Sequence, residues 1–276
     1  FDRTNRKASV LTDTGEVLYS YARRLLNLRD ESVTAVQELY NLRRGRLRIG
    51  ANESTSLHLL PGIVKEFRGR YPNIKIEIFR QISAKLVREL RDSNIDFAIL
   101  SHLPEDNDLD AIPVMRDELV LVVGRDHPLA GRSSVEIGDL GSESFIAHNI
   151  RSGSRERVAE AFWQRGVSYN VSIEIATIES IKKFVAIGLG IAFVPHMCVR
   201  EEVAKRELVV VNVEGFNYER TLWLVRRRSE PHNHAAQAFM SMIQEWSVSN
   251  QLTLRTDFQM AEIPVSDSAM LAGKPV

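Results

Sequence analysis

Cysteine is almost missing from this chain. The single Cys198 among 276 residues excludes an internal disulfide, fits no Cys/His zinc array and suits a reducing compartment. No apolar run approaches the ~18 residues that a spanning helix needs, so no membrane segment is expected. The seven histidines form no HExxH pair, and His232-x-His234 beside Pro231 reads as a surface turn. A Walker loop and a GxSxG elbow are also lacking, and with them go P-loop nucleotide chemistry and the serine-hydrolase constellation. Gly188-x-Gly190 follows a helix and enters a strand, the reverse of a dinucleotide-binding loop, so it reads as a helix stop followed by close packing. Cys198 alone is thin support for catalysis, and a buried structural thiol is its plainer reading. No catalytic residue, metal or cofactor is expected.

Net charge is missing too, with 36 Lys/Arg against 36 Asp/Glu, but the balance hides an asymmetry. Residues 1–50 carry ten basic side chains against six acidic ones, a local excess of +4. That excess permits a nucleic-acid partner at this end, and equally describes a solvated helix surface. After Val10-Leu11-Thr12-x-x-Gly15, residues 13–44 form one long helical pattern. Leu18, Tyr21, Leu25, Leu28, Val36 and Leu39 recur at threes and fours. Thr12 suits the N-cap, Asp13 and Glu16 the first turn, and Gly45 the stop. At 1.5 Å per residue the helix spans roughly 48 Å, more than a small domain covers with its own core. Its apolar stripe is expected to pair with a second helix, most economically in a homodimer.

Beyond residue 46 the pattern alternates strand and helix. Leu47–Gly50, Ile74–Ile78 and Asp96–Leu100 read as strands, with helices over 57–71 and around Leu86–Leu90 between them. This order implies a parallel sheet covered by helices. A strand at Leu119–Val123 and a turn-rich stretch to Ser144 lead into a second series. That series places strands at Phe145-Ile146, Val171–Ile175, Ile191–Val194, Leu208–Val213 and Leu222–Val225, and helices at Glu156–Gln164 and Glu179–Ile187. A closing helix is expected over His234–Trp246. The reading is two similar α/β lobes joined by crossovers near 122–126 and 222–227. Lobe I comprises 45–123 and 226–246, lobe II comprises 124–225, and 247–276 is a tail.

Hydroxyl-bearing and amide residues recur where strands hand over to helices: Asn52, Ser54, Thr55, Ser101, Ser152 and Thr177. In open α/β sheets ligands bind beyond the carboxyl ends of strands, where helix N-termini offer free N–H groups. Helix capping alone would account for any one of them. Several such turns from two lobes favour a small polar or anionic ligand.

The ordered set of pieces resembles the LysR-type transcriptional regulators. Phe1-x-Arg3 and Val10-Leu11-Thr12-x-x-Gly15 look like the end of a winged helix-turn-helix, followed by the linker helix and the strand closing on Ile49-Gly50. Leu60-Pro61, Phe67 with Tyr71-Pro72, Asp96-Phe97-Ala98-Ile99, Asp126-His127-Pro128-Leu129 and Gly188-Leu189-Gly190-Ile191 leading to Pro195 complete the likeness, over roughly 1–246. The resemblance implies two Rossmann-like lobes with a cleft and two crossovers, periplasmic-binding-protein-like of type 2, preceded by the linker helix. It implies a cytoplasmic, effector-responsive regulator, a homodimer or homotetramer, with DNA bound by the full-length protein and RNA polymerase as a further partner. Carried onto this sequence, the inducer site falls on Asn52, Ser54, Thr55, Ser101, Ser152 and Thr177, with Phe193 and Pro195 as lining. Residues 1–12 are expected to be a remnant of the DNA-binding head, in which Arg3, Arg6 and Lys7 touch phosphates without reading bases. Sequence-specific operator binding by the chain as given is therefore not expected. A solute-binding protein and an enzyme on the same fold are the alternatives. The long arm and the Leu11-Thr12-x-x-Gly15 junction favour the regulator.

Overall fold

The computed structural model describes residues 11–40, 45–150, 152–228 and 234–249. Helix α1 (Asp13–Tyr40) begins as the sequence suggests, with the Thr12 hydroxyl accepting the Gly15 N–H at 3.2 Å. Its 28 residues span roughly 42 Å. Positions 41–44, the expected last turn, lie outside the described residues. Leu18 and Leu25 are 70% and 69% exposed, and Tyr21 and Leu28 are exposed beside them. The side chains of Val36 and Leu39 lie outside the described residues. The helix touches the body through polar groups: Arg24 pairs with Asp92 at 2.9 Å, and Asn27 donates to Asn94 Oδ1 at 2.7 Å. Its apolar stripe has nothing to cover it among the described residues.

Lobe I starts with three parallel strands, β1 (Arg46–Ala51), β2 (Lys75–Arg80) and β3 (Phe97–Leu100), in the order β2-β1-β3. The helix expected over 57–71 is two helices, α2 (Glu53–His58) and α3 (Leu60–Arg70). Asn52 starts the first by accepting the Thr55 N–H, and Pro61 sits in the first turn of the second, where its missing N–H costs nothing. Helix α4 (Ser83–Arg91) precedes β3. The sheet is mixed rather than wholly parallel, because β10 (Glu219–Arg227) enters antiparallel between β3 and β4 (Leu109–Gly124).

β4 is 16 residues long, against five expected. Its first part pairs with β10 through Glu118, and from Leu119 it pairs with β8 (Ala192–Pro195) and β9 (Leu208–Glu214). The outward crossing therefore falls at Glu118/Leu119, not at 122–126. The return falls between Glu214 and Glu219, not at 222–227, so all of β10 belongs to lobe I. Pro113 faces Trp223 beside a bulge at Val114, where the register shifts between Leu222 and Trp223 and a missing ladder donor is tolerated.

Lobe II adds β5 (Ser134–Glu136) beside β9, and β6 (Phe145–His148) parallel to β7 (Val171–Ile175). Its helices are α5 (Gly153–Gln164), α6 (Ile178–Ala186) and α7 (Arg200–Ala204). A single bridge ties Phe145 of β6 to Ile191, the residue before β8, and this seam explains Gly190. A Cβ there would lie 2.5 Å from the Ser144 carbonyl oxygen. The expected stop and close packing are both present, since Gly188 ends α6 at φ +79°. Helix α8 (His234–Ser249) returns to lobe I, where Phe239 packs between Phe67 and Phe97. Residues 231–233 and 250–276, including most of the His232 turn and the tail, lie outside the described residues.

Candidate effector cleft

The carboxyl ends of β1 and β3 lie side by side, with Ala51 opposite Ile99, so Ser101 emerges beside Asn52 and Glu53. Two contacts bring lobe II to the same edge. Glu53 Oε2 lies 3.7 Å from His148 Nε2 at the end of β6, and His58 Nε2 lies 2.9 Å from Glu179 Oε1 at the start of α6. Thr177 is two residues from Glu179 and Ser152 is four from His148, so turns of both lobes converge on one cleft.

The local chemistry divides these residues. Asn52, Ser152 and Thr177 are all N-caps, accepting from the backbone N–H groups of Thr55, Arg155 and Ser180. Asn52 Oδ1 also accepts from Ser54 and the Thr177 hydroxyl also donates to Ser180 Oγ at 2.8 Å, so beyond capping it is the Asn52 amide N–H groups and the Ser152 hydroxyl proton that remain to a ligand. Ser54 is buried and donates its hydroxyl to Asn52 Oδ1 at 3.0 Å. Thr55 is fully buried, and its Oγ1 has no partner among the described residues. An orphaned buried hydroxyl costs about 1–3 kcal/mol, so its persistence calls for a reason. Ser101 is half-buried.

Two expected lining residues are placed differently. Phe193 belongs to the lobe II core: its ring lies 4.9 Å from Phe216 and stacks on Phe145 at 6.0 Å. Strand alternation sends it into the aromatic cluster with Phe162, where it is partly buried. Pro195 is buried opposite Leu119, at the strand crossing. Arg3, Arg6 and Lys7 lie outside the described residues.

An ionic cluster at the cleft escaped the sequence reading. Lys182, 4% exposed, places Nζ 2.8 Å from Glu179, 2.8 Å from Glu202 and 2.8 Å from the Cys198 carbonyl oxygen. Burial works against its charge, but hydrogen bonds to Glu179 and Glu202 outweigh that and hold its pKa above the ordinary lysine value. Burial likewise opposes ionisation of Glu202, and the hydrogen bond from Lys182 leads the effects that leave its pKa below the usual carboxylate value. A second buried pair, Asp117 with Arg220 at 2.8 Å, ties the two crossing strands together, and Asp117 also accepts the Met197 N–H at 3.0 Å. The 3-10 turn His196–Cys198 after β8 thereby inserts Met197 and Cys198 into the lobe I core. Burial pushes the Cys198 thiol well above its ordinary range, so it is an unreactive core residue, as expected. No group of three or more potential metal ligands occurs among the described residues. Nor is any described helix long and apolar enough to cross a membrane.

Residues 41–247 match the family profile described as the LysR substrate binding domain. The chain belongs to the LysR-type transcriptional regulators. Among its LysR-type relatives are probable RuBisCO transcriptional regulators of Cyanophora paradoxa and Emiliania huxleyi. The first is 31% identical over 249 residues, covering 88% of this chain and 76% of the relative. The second is 33% identical over 228 residues, covering 80% and 72%. The regulatory domain of Synechocystis PCC6803 CcmR, solved in complex with 2-PG, superposes with a TM-score of 0.67 at 27% identity, covering 75% of this chain and 99% of that domain. A full-length OxyR variant from Pseudomonas aeruginosa shares the fold with a TM-score of 0.69 at 22% identity, covering 88% and 79%. This LysR-type chain is thus an effector-responsive transcriptional regulator built on two α/β lobes, and its relatives are regulators rather than enzymes.

Proposed function

We propose that a small polar or anionic inducer binds where the turns after β1 and β3 face those before α5 and α6. Asn52, Ser54, Thr55, Ser101, Ser152 and Thr177 are its contacts. The orphaned Thr55 hydroxyl carries this reading, because a ligand acceptor would supply the bond it lacks. No cofactor is needed beyond the effector. In a thermal-shift panel of 2-PG, shikimate, small carboxylates, amino acids and aromatic acids, the effector at 100 times its dissociation constant stabilises by about 2.7 kcal/mol. Ser54→Ala and Ser101→Ala each weaken that response. Thr55→Val does so while raising the ligand-free melting temperature, since it removes the orphan at nearly constant volume. A full response in all three variants would place the ligand elsewhere.

The exposed stripe Leu18, Tyr21, Leu25 and Leu28, extended by Val36 and Leu39, pairs two copies of α1 and makes the protein a homodimer, which can assemble further into a tetramer. Arg3, Arg6 and Lys7 contact DNA phosphates, RNA polymerase is a further partner, and the cytoplasm is the compartment. Ligand in the cleft changes the angle between the lobes and, through α1, the spacing of the DNA-binding heads. Leu25→Asp puts a charge into the stripe and shifts the protein from dimer toward monomer in sedimentation equilibrium. A variant as dimeric as the parent would remove α1 from the interface.

A further inference from the structure

Three side chains of α1 reach a single turn of lobe I. Arg23 Nη2 donates to Asn94 Oδ1 at 3.0 Å, and Arg24 Nε donates to Asp92 Oδ1 at 3.0 Å. Asn27 Nδ2 donates to the Asp92 carbonyl oxygen at 3.2 Å and to Asn94 Oδ1 at 2.7 Å. Their spacing within one turn puts all three on one face of the helix. At about 3.6 residues per turn, that face lies roughly 130° around the axis from the centre of the Leu18, Tyr21, Leu25 and Leu28 stripe. Seating α1 on the body therefore leaves the stripe to a second helix.

The turn is preorganised to receive them. Ser93 holds φ +56°, a left-handed conformation uncommon outside glycine, and so reverses the chain between α4 and β3. Arg48 on β1 donates to the Ser93 carbonyl oxygen at 2.9 Å, tying the turn to the sheet. Asn94 is gripped from α4: its N–H donates to the Glu89 carbonyl oxygen at 2.9 Å and its Nδ2 to Glu89 Oε2 at 2.6 Å. Its Oδ1 is thereby turned toward α1, where Arg23 and Asn27 both donate to it. On the helix, the Arg23 guanidinium lies 5.8 Å from the centroid of the Tyr19 ring, one turn earlier. Asn27 stands roughly 20 Å along the axis from Tyr40, where the helix hands over toward β1. A rod tied at two points that far apart cannot pivot about either one alone.

We propose that the Asp92–Asn94 turn is a socket that locks α1 to lobe I of its own chain, so that arm and lobe rotate as one body. A rotation of lobe I by about 10° then moves the far end of α1 by roughly 7 Å, because the helix is about 42 Å long. The socket deepens the coupling role given to α1 above and rests on it, but not on the position of the effector. The Arg24 and Asp92 side chains are 44% and 32% exposed, so docking is a shallow equilibrium that salt and substitution shift.

Docking is read within one ligand-free chain and the pairing of α1 by sedimentation, so either reading can fail alone. Cysteines introduced at exposed Glu16 and Lys65 carry spin labels on α1 and lobe I, while buried Cys198 stays unlabelled. Labelled protein is diluted into an excess of unlabelled protein, so that only distances within one chain are measured. The parent gives one narrow distance. Asn27→Ala raises the broad, undocked population roughly three- to tenfold, although alanine is the better helix former. Arg24→Asp, which sets a carboxylate against Asp92, does the same, and Asp92→Arg added to it restores the narrow distance. A parent already broad, a narrow distance lost on dilution, or Asn27→Ala and Arg24→Asp variants as narrow as the parent would each overturn the proposal. So would a double variant no narrower than Arg24→Asp alone.

Discussion

Phe239→Ala destabilises the protein by about 3–5 kcal/mol, the range for removing a buried aromatic ring from a core that cannot collapse around the void. Phe239 is fully buried on α8, with its ring 5.3 Å from Phe67 in an edge contact and 5.4 Å from Phe97. Those partners come from α3 and β3, so one side chain from the end of the described chain seals a core laid down at its start. Denaturant unfolding should show a lower midpoint with an unchanged slope, and the melting temperature should fall by roughly 10 °C. Trp163→Ala serves as the contrast, because Trp163 is 80% exposed, and its change should stay within about 0.5 kcal/mol. Equal effects in the two variants would refute the packing account.

Asp117→Ala produces a loss of similar size for a different reason. The Arg220 and Asp117 side chains are 6% and 1% exposed, and Asp117 also holds the Met197 N–H. Removing the carboxylate leaves a guanidinium and an amide buried without partners, which costs about 3–5 kcal/mol. Replacing both members with apolar side chains of similar volume, as in Asp117→Leu with Arg220→Met, should recover most of that loss. A single variant within about 1 kcal/mol of the parent would show that water reaches the pair. Because these residues lie on β4 and β10 where the chain passes between lobes, the single variant should also broaden the distribution of interlobe distances.

The sequence revealed the elements whose period is local. β7 appears at Val171–Ile175 as read, and α1, α5, α6 and α8 begin within three residues of their expected starts. The first half of β4 was hidden because Asp110, Pro113, Arg116 and Asp117 look like a loop until β10 supplies the partner that makes each position intelligible. The split between α2 and α3 was written in Asn52 and Pro61 but masked by the continuous apolar spacing across 57–71. At the cleft, the capping residues were legible because strand-to-helix turns carry their own signature. The packing of Phe193 against Phe145 and Phe216 was not legible, because a turn signature says nothing about which face a strand residue presents. The ionic cluster was invisible for another reason: His58 and Glu179 are 121 positions apart, and only the Glu179-x-x-Lys182 spacing hinted at a pair.

Met197 and Cys198 emerge from a strand of lobe II and complete the hydrophobic interior of lobe I. Dissection therefore has no clean place to cut. A lobe I assembled from 45–118 and 219–249 would carry a hole where these two side chains belong. A lobe II expressed alone would bear them on its surface. The two halves look like repeats of one architecture, yet their interiors are shared through these two side chains.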